Sequence, residues 1–286
     1  MKIGIISDSS SCLEYAPFSH NIKIARTSIC FGCEEFIDGE SISADEFYNR
    51  LMTTDIFPTT SAPTIGRIVD KINDLKNEGC TDIMYFPISF NLSDYGKNLS
   101  SVLKDIISDV NIYVVNTKLA CLMEGMVAKY AEVLADKGYN IESIINEIDK
   151  LINSTTTYFV VDDLNYLVKN GRLKKSSAFI GSLIKIKPVL SITKDGKIEM
   201  FEKVRTYNKA IDKVLSLLQC DNDNTVFLIL HSCEKEKAKE VKDKLLNRVS
   251  SNCKILTSII TPTVGAHIGC GVIGIAAINL NDLIKI

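Results

Sequence analysis

The chain has no long apolar run. None approaches the roughly 20 residues that span a bilayer, and the opening Met1-Lys-Ile-Gly-Ile-Ile-Ser-Asp8 turns polar too soon for a signal peptide. The expectation is a soluble, cytoplasmic protein. An excess of charge is also missing: 33 Lys and Arg against 35 Asp and Glu leave −2. No global field favours nucleic acid, and none is expected as a partner. The nine cysteines are an odd number and scattered, which excludes a disulfide framework and suits a reducing compartment. Cys30-Phe-Gly-Cys33 is a CxxC, but no second CxxC or CxxH accompanies it as zinc requires. It lies in a Gly-containing turn between strand-like segments, not at a helix start as redox pairs do. No metal is expected. The chain also lacks a Gly-x-x-x-x-Gly-Lys-Ser/Thr run, a Gly-x-Ser-x-Gly elbow, internal repeats and low-complexity tracts.

What is present is an alternation of short apolar runs with amphipathic periodicity. Ile3-Gly-Ile-Ile6, Ile22 to Ile29, Asp82 to Ile88 and Ile112 to Val115 read as strands. Ser43-Ala-Asp-Glu46 is a capping box opening a helix to about Met52. Phe57 to Pro63 reads as a rigid, hydroxyl-rich loop, and helices follow from about Thr64, after Asp94, from Leu119 and from Ile141. Strand–helix alternation predicts a mainly parallel sheet covered by helices, an α/β Rossmann-like domain over residues 1–153. Beyond it the pattern mixes hairpins with helices. Lys194-Asp-Gly-Lys197 signals a hairpin between Pro188–Ile192 and Lys197–Lys203. This predicts an α+β domain with a mixed sheet over residues 154–286, although no Gly/Ser linker marks the boundary. The length of 286 residues accommodates two domains.

Three polar constellations fall where sites are built. Thr59-Thr-Ser-Ala-Pro-Thr64 and Ser89-Phe-Asn-Leu-Ser93 precede helices, whose N-termini offer free N–H groups to anions. Near the end stands Thr261-Pro-Thr-Val-Gly-Ala-His-Ile-Gly-Cys-Gly271, followed by the apolar run Val272 to Ile278. Glycines before a strand admit a close backbone or ligand. His267 is therefore expected on a tight loop at the edge of a sheet. Between residues 169 and 187 lie Lys169, Arg172, Lys174, Lys175, Lys185 and Lys187 with no acid among them. They bracket a predicted helix, residues 176–185, and such a basic, apolar segment suits transient contact with a membrane surface or a partner groove. Arg172 follows a helix-ending glycine, from which its guanidinium is expected to project outward.

The chain resembles the DegV family of bacterial fatty-acid-binding proteins nearly end to end. The resemblance rests on Ser7-Asp-Ser-Ser10, Thr60-Ser-Ala-Pro-Thr64, Ile88-Ser-Phe-Asn-Leu-Ser93, Phe159-Val-Val-Asp-Asp-Leu-Asn-Tyr-Leu-Val-Lys-Asn-Gly-Arg172, Ile186-Lys-Pro188 with Asp195-Gly196, Arg205, and Val264-Gly-Ala-His-Ile-Gly-Cys-Gly271. It implies two α/β domains with a long-chain fatty acid between them. It implies that Thr60, Ser93 and His267 bind the carboxylate, with Ser61 and Gly265 beside them. It further implies a carrier without covalent chemistry or cofactor, presenting the acid to a fatty acid kinase for acyl phosphate formation and phospholipid synthesis. Arg172, Lys174 and Lys175 are the expected docking residues. The sequence departs from the family at Asn170, Asp94 and Cys270, and Asp94 is expected to add a negative charge beside the carboxylate site. The competing reading is a serine hydrolase acting on a lipid or acyl ester, with Ser93 as nucleophile and His267 as base.

Overall fold

Short runs of β-branched residues pair into sheets here, and the amphipathic runs between them cover those sheets. The structure, a computed structural model, describes residues 2–173, 186–218 and 224–280. The first half contains strands β1 (Ile3–Asp8), β2 (Lys23–Ala25), β3 (Ser28–Phe31) and β4 (Glu34–Ile37), helix α1 (Ala44–Thr53), strand β5 (Thr59–Ser61), helix α2 (Ile65–Asn77), strand β6 (Asp82–Phe86), helix α3 (Tyr95–Ile106), strand β7 (Asn111–Val114), and helices α4 (Cys121–Asp136) and α5 (Ile141–Ser154). The second contains β8 (Thr156–Val160), α6 (Asn165–Lys169), β9 (Lys187–Ile192), β10 (Ile198–Val204), α7 (Tyr207–Leu217), β11 (Thr225–Ser232), α8 (Lys235–Leu246), β12 (Lys254–Ile259), α9 (Pro262–Ile268) and β13 (Val272–Asn279). The chain is thus of the α/β class, with a parallel sheet covered by helices and a separate mixed sheet. The predicted helix over residues 176–185 lies outside the described residues, as do Lys174, Lys175 and Lys185.

The four-stranded sheet β2-β1-β6-β7 is parallel throughout. The six-stranded sheet β10-β9-β8-β13-β11-β12 is antiparallel except for the β11/β12 pair. The Asp195-Gly196 hairpin joins β9 to β10, with Gly196 at φ +78°. One hydrophobic core runs through both sheets. It contains Ile5, Met84 and Phe86 of the parallel sheet, Leu122, Met126 and Ile148 of α4 and α5, and Phe159, Leu228 and Ala276 of the mixed sheet. The helices α4 and α5 therefore form a layer common to both halves.

Two readings from sequence change. Ile22 to Ile29 is not one strand: β2 joins the parallel sheet, whereas β3 turns away into a three-stranded antiparallel sheet, β4-β3-β5. The stretch from Phe57 to Pro63 is not all loop either, because Thr59–Ser61 pairs with β3 as its edge strand. Three hydroxyl residues show no apolar alternation, so the partner strand decides their conformation. The small sheet packs on α1 and α9 through Ile29, Phe31, Phe47, Tyr48 and Ala266.

Candidate functional site

The helix α9 carries the histidine. Pro262 at its first position has its φ set for a helix. Asp38, distant in sequence, accepts the backbone N–H of Thr263 at 2.9 Å and also its hydroxyl. His267 thus sits in the last turn of a short helix, not on a tight loop. The strand after it, β13, is interior to its sheet, not near an edge. The glycines misled because Gly265 serves helix packing: a Cβ there would lie 2.7 Å from the Tyr48 hydroxyl and 2.8 Å from the Phe47 ring. Gly269, at φ +76°, then ends the helix.

Register in the small sheet sets Thr60 opposite Ile29 and brings its hydroxyl to 2.8 Å from His267 Nε2. The two residues are 207 positions apart, and the contact joins the halves of the chain. Burial, together with the nearby Arg172 charge, lowers the His267 pKa to about 4. The imidazole is therefore neutral at pH 7. Its Nδ1 is buried without a hydrogen-bond partner among the described residues.

Ser93 ends a turn held by Ser89, whose carbonyl accepts the Leu92 and Ser93 N–H groups at 2.9 and 3.0 Å. The Ser89 hydroxyl in turn donates to the Gly196 carbonyl at 2.8 Å, tying this turn to the β9–β10 hairpin. Arg172 does not project outward. It is half-buried, its Nε donating to the Leu92 carbonyl at 3.2 Å and its Nη1 to the Asn170 carbonyl at 2.6 Å. Of the neighbouring basic residues, Lys187 pairs with Asp162 at 2.6 Å and the Lys169 ammonium lies 3.5 Å from the Phe57 ring centroid.

Thr60, Ser93, Arg172 and His267 all line one cavity of about 170 Å³. Its wall is otherwise largely apolar, including Leu92, Phe159, Leu167, Ile192, Leu230 and Val272. Both halves of the chain contribute. Ser61 is exposed and, like Gly265, does not line the cavity. Strand alternation turns Ser61 away from the face that Thr60 presents. Asp94 adds no charge to the wall: it is 81% exposed and paired with Lys97 at 2.5 Å.

A buried acidic pair beside the cavity was less legible in the sequence. Asp8, at the end of β1, accepts the Ser10 N–H at 2.7 Å and the hydroxyls of Ser10 and Tyr95. Glu124 of α4 is fully buried and accepts the Ser10 hydroxyl at 2.9 Å. Burial raises both carboxyls. The Ser10 hydroxyl has one proton for two acceptors, and the Tyr95 hydroxyl and the Ile88 N–H donate to Asp8 as well. Asp8, Ser10 and Tyr95 line the cavity. The missed signal was an acid at 124 inside the apolar stretch of α4, Cys121-Leu-Met-Glu-Gly-Met-Val-Ala128.

Chemically, the cavity offers apolar volume with hydroxyl, imidazole and guanidinium groups converging on it. It does not assemble a triad: His267 Nε2 meets Thr60, its Nδ1 has no orienting acid, and Asp8 and Asp94 are engaged elsewhere. Among the described residues no group of three or more His, Cys, Asp or Glu could hold a metal ion, and no helix is long and apolar enough to cross a membrane.

Comparison with known proteins agrees with this architecture. The family described as "Uncharacterised protein, DegV family" matches residues 2–280. A DegV domain-containing protein of Staphylococcus aureus (strain N315) is 34% identical over 286 residues, covering 98% of each chain. One from Listeria innocua is 31% identical over 278 residues, covering 96% of this chain and 97% of its own. Among solved structures, the fatty acid binding DegV family protein of Streptococcus agalactiae superposes with a TM-score of 0.87 at 27% identity, covering 98% of this chain and 100% of that one. DegV of Bacillus subtilis, a fatty acid binding protein, gives the same TM-score, identity and coverage. The family match over nearly the whole chain and the full-length relatives identify this protein as a member of the DegV family.

Proposed function

We propose that this protein binds a long-chain fatty acid in the shared cavity, with the carboxylate held by Thr60, Ser93 and His267. The observation that carries this reading is the convergence of those three side chains, with Arg172, on one largely apolar cavity. The fatty-acid-binding relatives of known structure support it at the level of the whole fold. A carboxylate leaving water needs donors or it takes up a proton. Hydroxyls and a neutral imidazole donate without bringing a second charge, and Arg172 supplies a permanent one. Each methylene buried adds roughly 0.8 kcal/mol, so the acyl chain provides most of the affinity and the polar groups fix its orientation.

On this reading the protein is a carrier, and the acid is activated by a partner kinase that forms an acyl phosphate. The basic stretch beginning at Arg172, with Lys174 and Lys175, is the proposed docking region, and a membrane surface is its second proposed contact. The hydrolase reading has less support, because the His267 imidazole bonds Thr60 and not Ser93 and has no acid behind it. Mass spectrometry of an organic extract of the purified protein tests the ligand directly, and a fatty acid is the expected species. Ser93→Ala and His267→Ala should each weaken fatty-acid binding by about 1–3 kcal/mol. Unchanged affinity in both variants would sink the carboxylate assignment. Docking is tested on Arg172→Ala by paired measurements of bound lipid and of acyl-phosphate formation by the kinase. Loss of bound lipid assigns Arg172 to the cavity, and slowed phosphorylation with lipid retained assigns it to handover.

A further inference from the structure

Eight cysteines lie among the described residues, all of them free thiols. Two meet at the end of the mixed sheet. β11 and β13 pair up to Ser232 and Val272, and the Gly271 N–H continues the ladder to the Ser232 carbonyl at 3.1 Å. Just past that point Cys233 takes a left-handed conformation, φ +62°, and Cys270 stands between Gly269 and Gly271 at +76° and +79°. These turns set the two residues side by side at the end of the ladder, and both side chains pack against the same small cluster as Phe47 and Tyr48. The neighbouring Cys233 thiol lowers the Cys270 pKa, and Cys270 raises that of Cys233. Both side chains are half-buried, and Cys233 also lines a surface pocket of about 400 Å³ beside His231 and Lys235. This pocket shares no lining residue with the cavity of Thr60 and His267.

We propose that Cys233 and Cys270 are a hydroperoxide-responsive pair that closes into a reversible disulfide. The Cys270 thiolate attacks one peroxide oxygen; an S–O bond forms, the O–O bond breaks, and the departing hydroxide takes a proton to become water. Cys233 sulfur then attacks the Cys270 sulfenic acid. The S–S bond forms, the S–O bond breaks, and the Cys233 proton leaves with that hydroxide as a second water. Two thiols are oxidised and one peroxide is reduced. The left-handed residues place both thiols at the end of the ladder, and the surface pocket, lined by Cys233, gives a small oxidant its approach to the pair. Cys12 and Cys121 are a second pair of neighbouring thiols, but both are buried, and Cys12 together with burial raises the Cys121 thiol. They are the internal comparison.

The test treats the full chain with hydrogen peroxide, alkylates the remaining thiols and maps peptides without reduction. The expected product is a Cys233–Cys270 disulfide with two thiols lost per chain and both recovered with dithiothreitol. Cys270→Ser should lose no thiols to that product, and Cys30→Ser/Cys33→Ser should still form it. Cys233 and Cys270 remaining fully alkylatable, or each oxidising singly without a cross-link, overturns the proposal. So does a cross-link that forms at Cys12 and Cys121 instead. None of these readouts depends on what the cavity binds.

Discussion

His267 holds its imidazole neutral inside the protein, and that has a pH signature. Its pKa falls from 6.5 to about 4 on burial. The unfolded chain therefore binds more protons than the folded one between those values, and this contribution to stability is lost as pH falls through them. Asp38 works in the opposite sense: its carboxyl rises from 3.8 to about 7, mainly by burial, so its contribution is present at low pH and lost as pH rises through 7. The two partly cancel in the wild type, but Asp38 is common to both chains when His267→Gln is compared with it. Wild type should lose on the order of 2–3 kcal/mol relative to that variant between pH 6.5 and pH 4. Urea unfolding of both proteins across the range measures it, and a pH-independent difference would refute the neutral imidazole. At this scale residue type marked the polar stretches around Thr60, Ser93 and His267, and the family resemblance singled out those three side chains. It could not name Glu124, because an acid on a helix reads as solvated until a second layer covers it. Nor could it orient Arg172, whose direction depends on the Leu92 carbonyl, 80 positions away.

Among the elements, α9 shows best how the site is held. Its first turn donates to Asp38, next to β4, and its last turn meets Thr60 in β5. The small antiparallel sheet thus grips the helix at both ends. A seven-residue helix has little stability of its own. Asp38→Ala removes an N-terminal acceptor and should cost about 1–2 kcal/mol in unfolding free energy. It should also weaken the Thr60–His267 contact, which a shift in the His267 imidazole NMR resonances would report. An unchanged melting temperature and unchanged resonances would show that α9 is held by packing alone. Elements with local signals were legible: Ser43 and Glu46 do form a capping box, and Gly79 ends α2 at φ +87°. Elements made by distant partners were not. The strand character of Thr59–Ser61 comes from β3, and the helix at 262–268 was hidden behind glycines that serve packing against Tyr48.

For the whole molecule, the decisive feature is the α4–α5 layer between the two sheets. A boundary near residue 153 falls at the end of α5, where the chain passes into β8. Yet the core continues across it from Met84 through Met126 to Leu228. We expect the halves to unfold as one cooperative unit, because neither can lose its sheet without baring that layer to water. Far-ultraviolet circular dichroism and tyrosine fluorescence should give coincident urea transitions. Two separated transitions would mean that the halves are energetically independent. The order of the mixed sheet has a kinetic corollary. β13 alone joins β8 to β11. Until Val272–Asn279 has been synthesised and inserted, those two strands each carry an unpaired edge. Such long-range closure slows assembly and leaves nascent chains prone to aggregate. Misassembly during translation, more than instability of the finished protein, is then the hazard this topology carries.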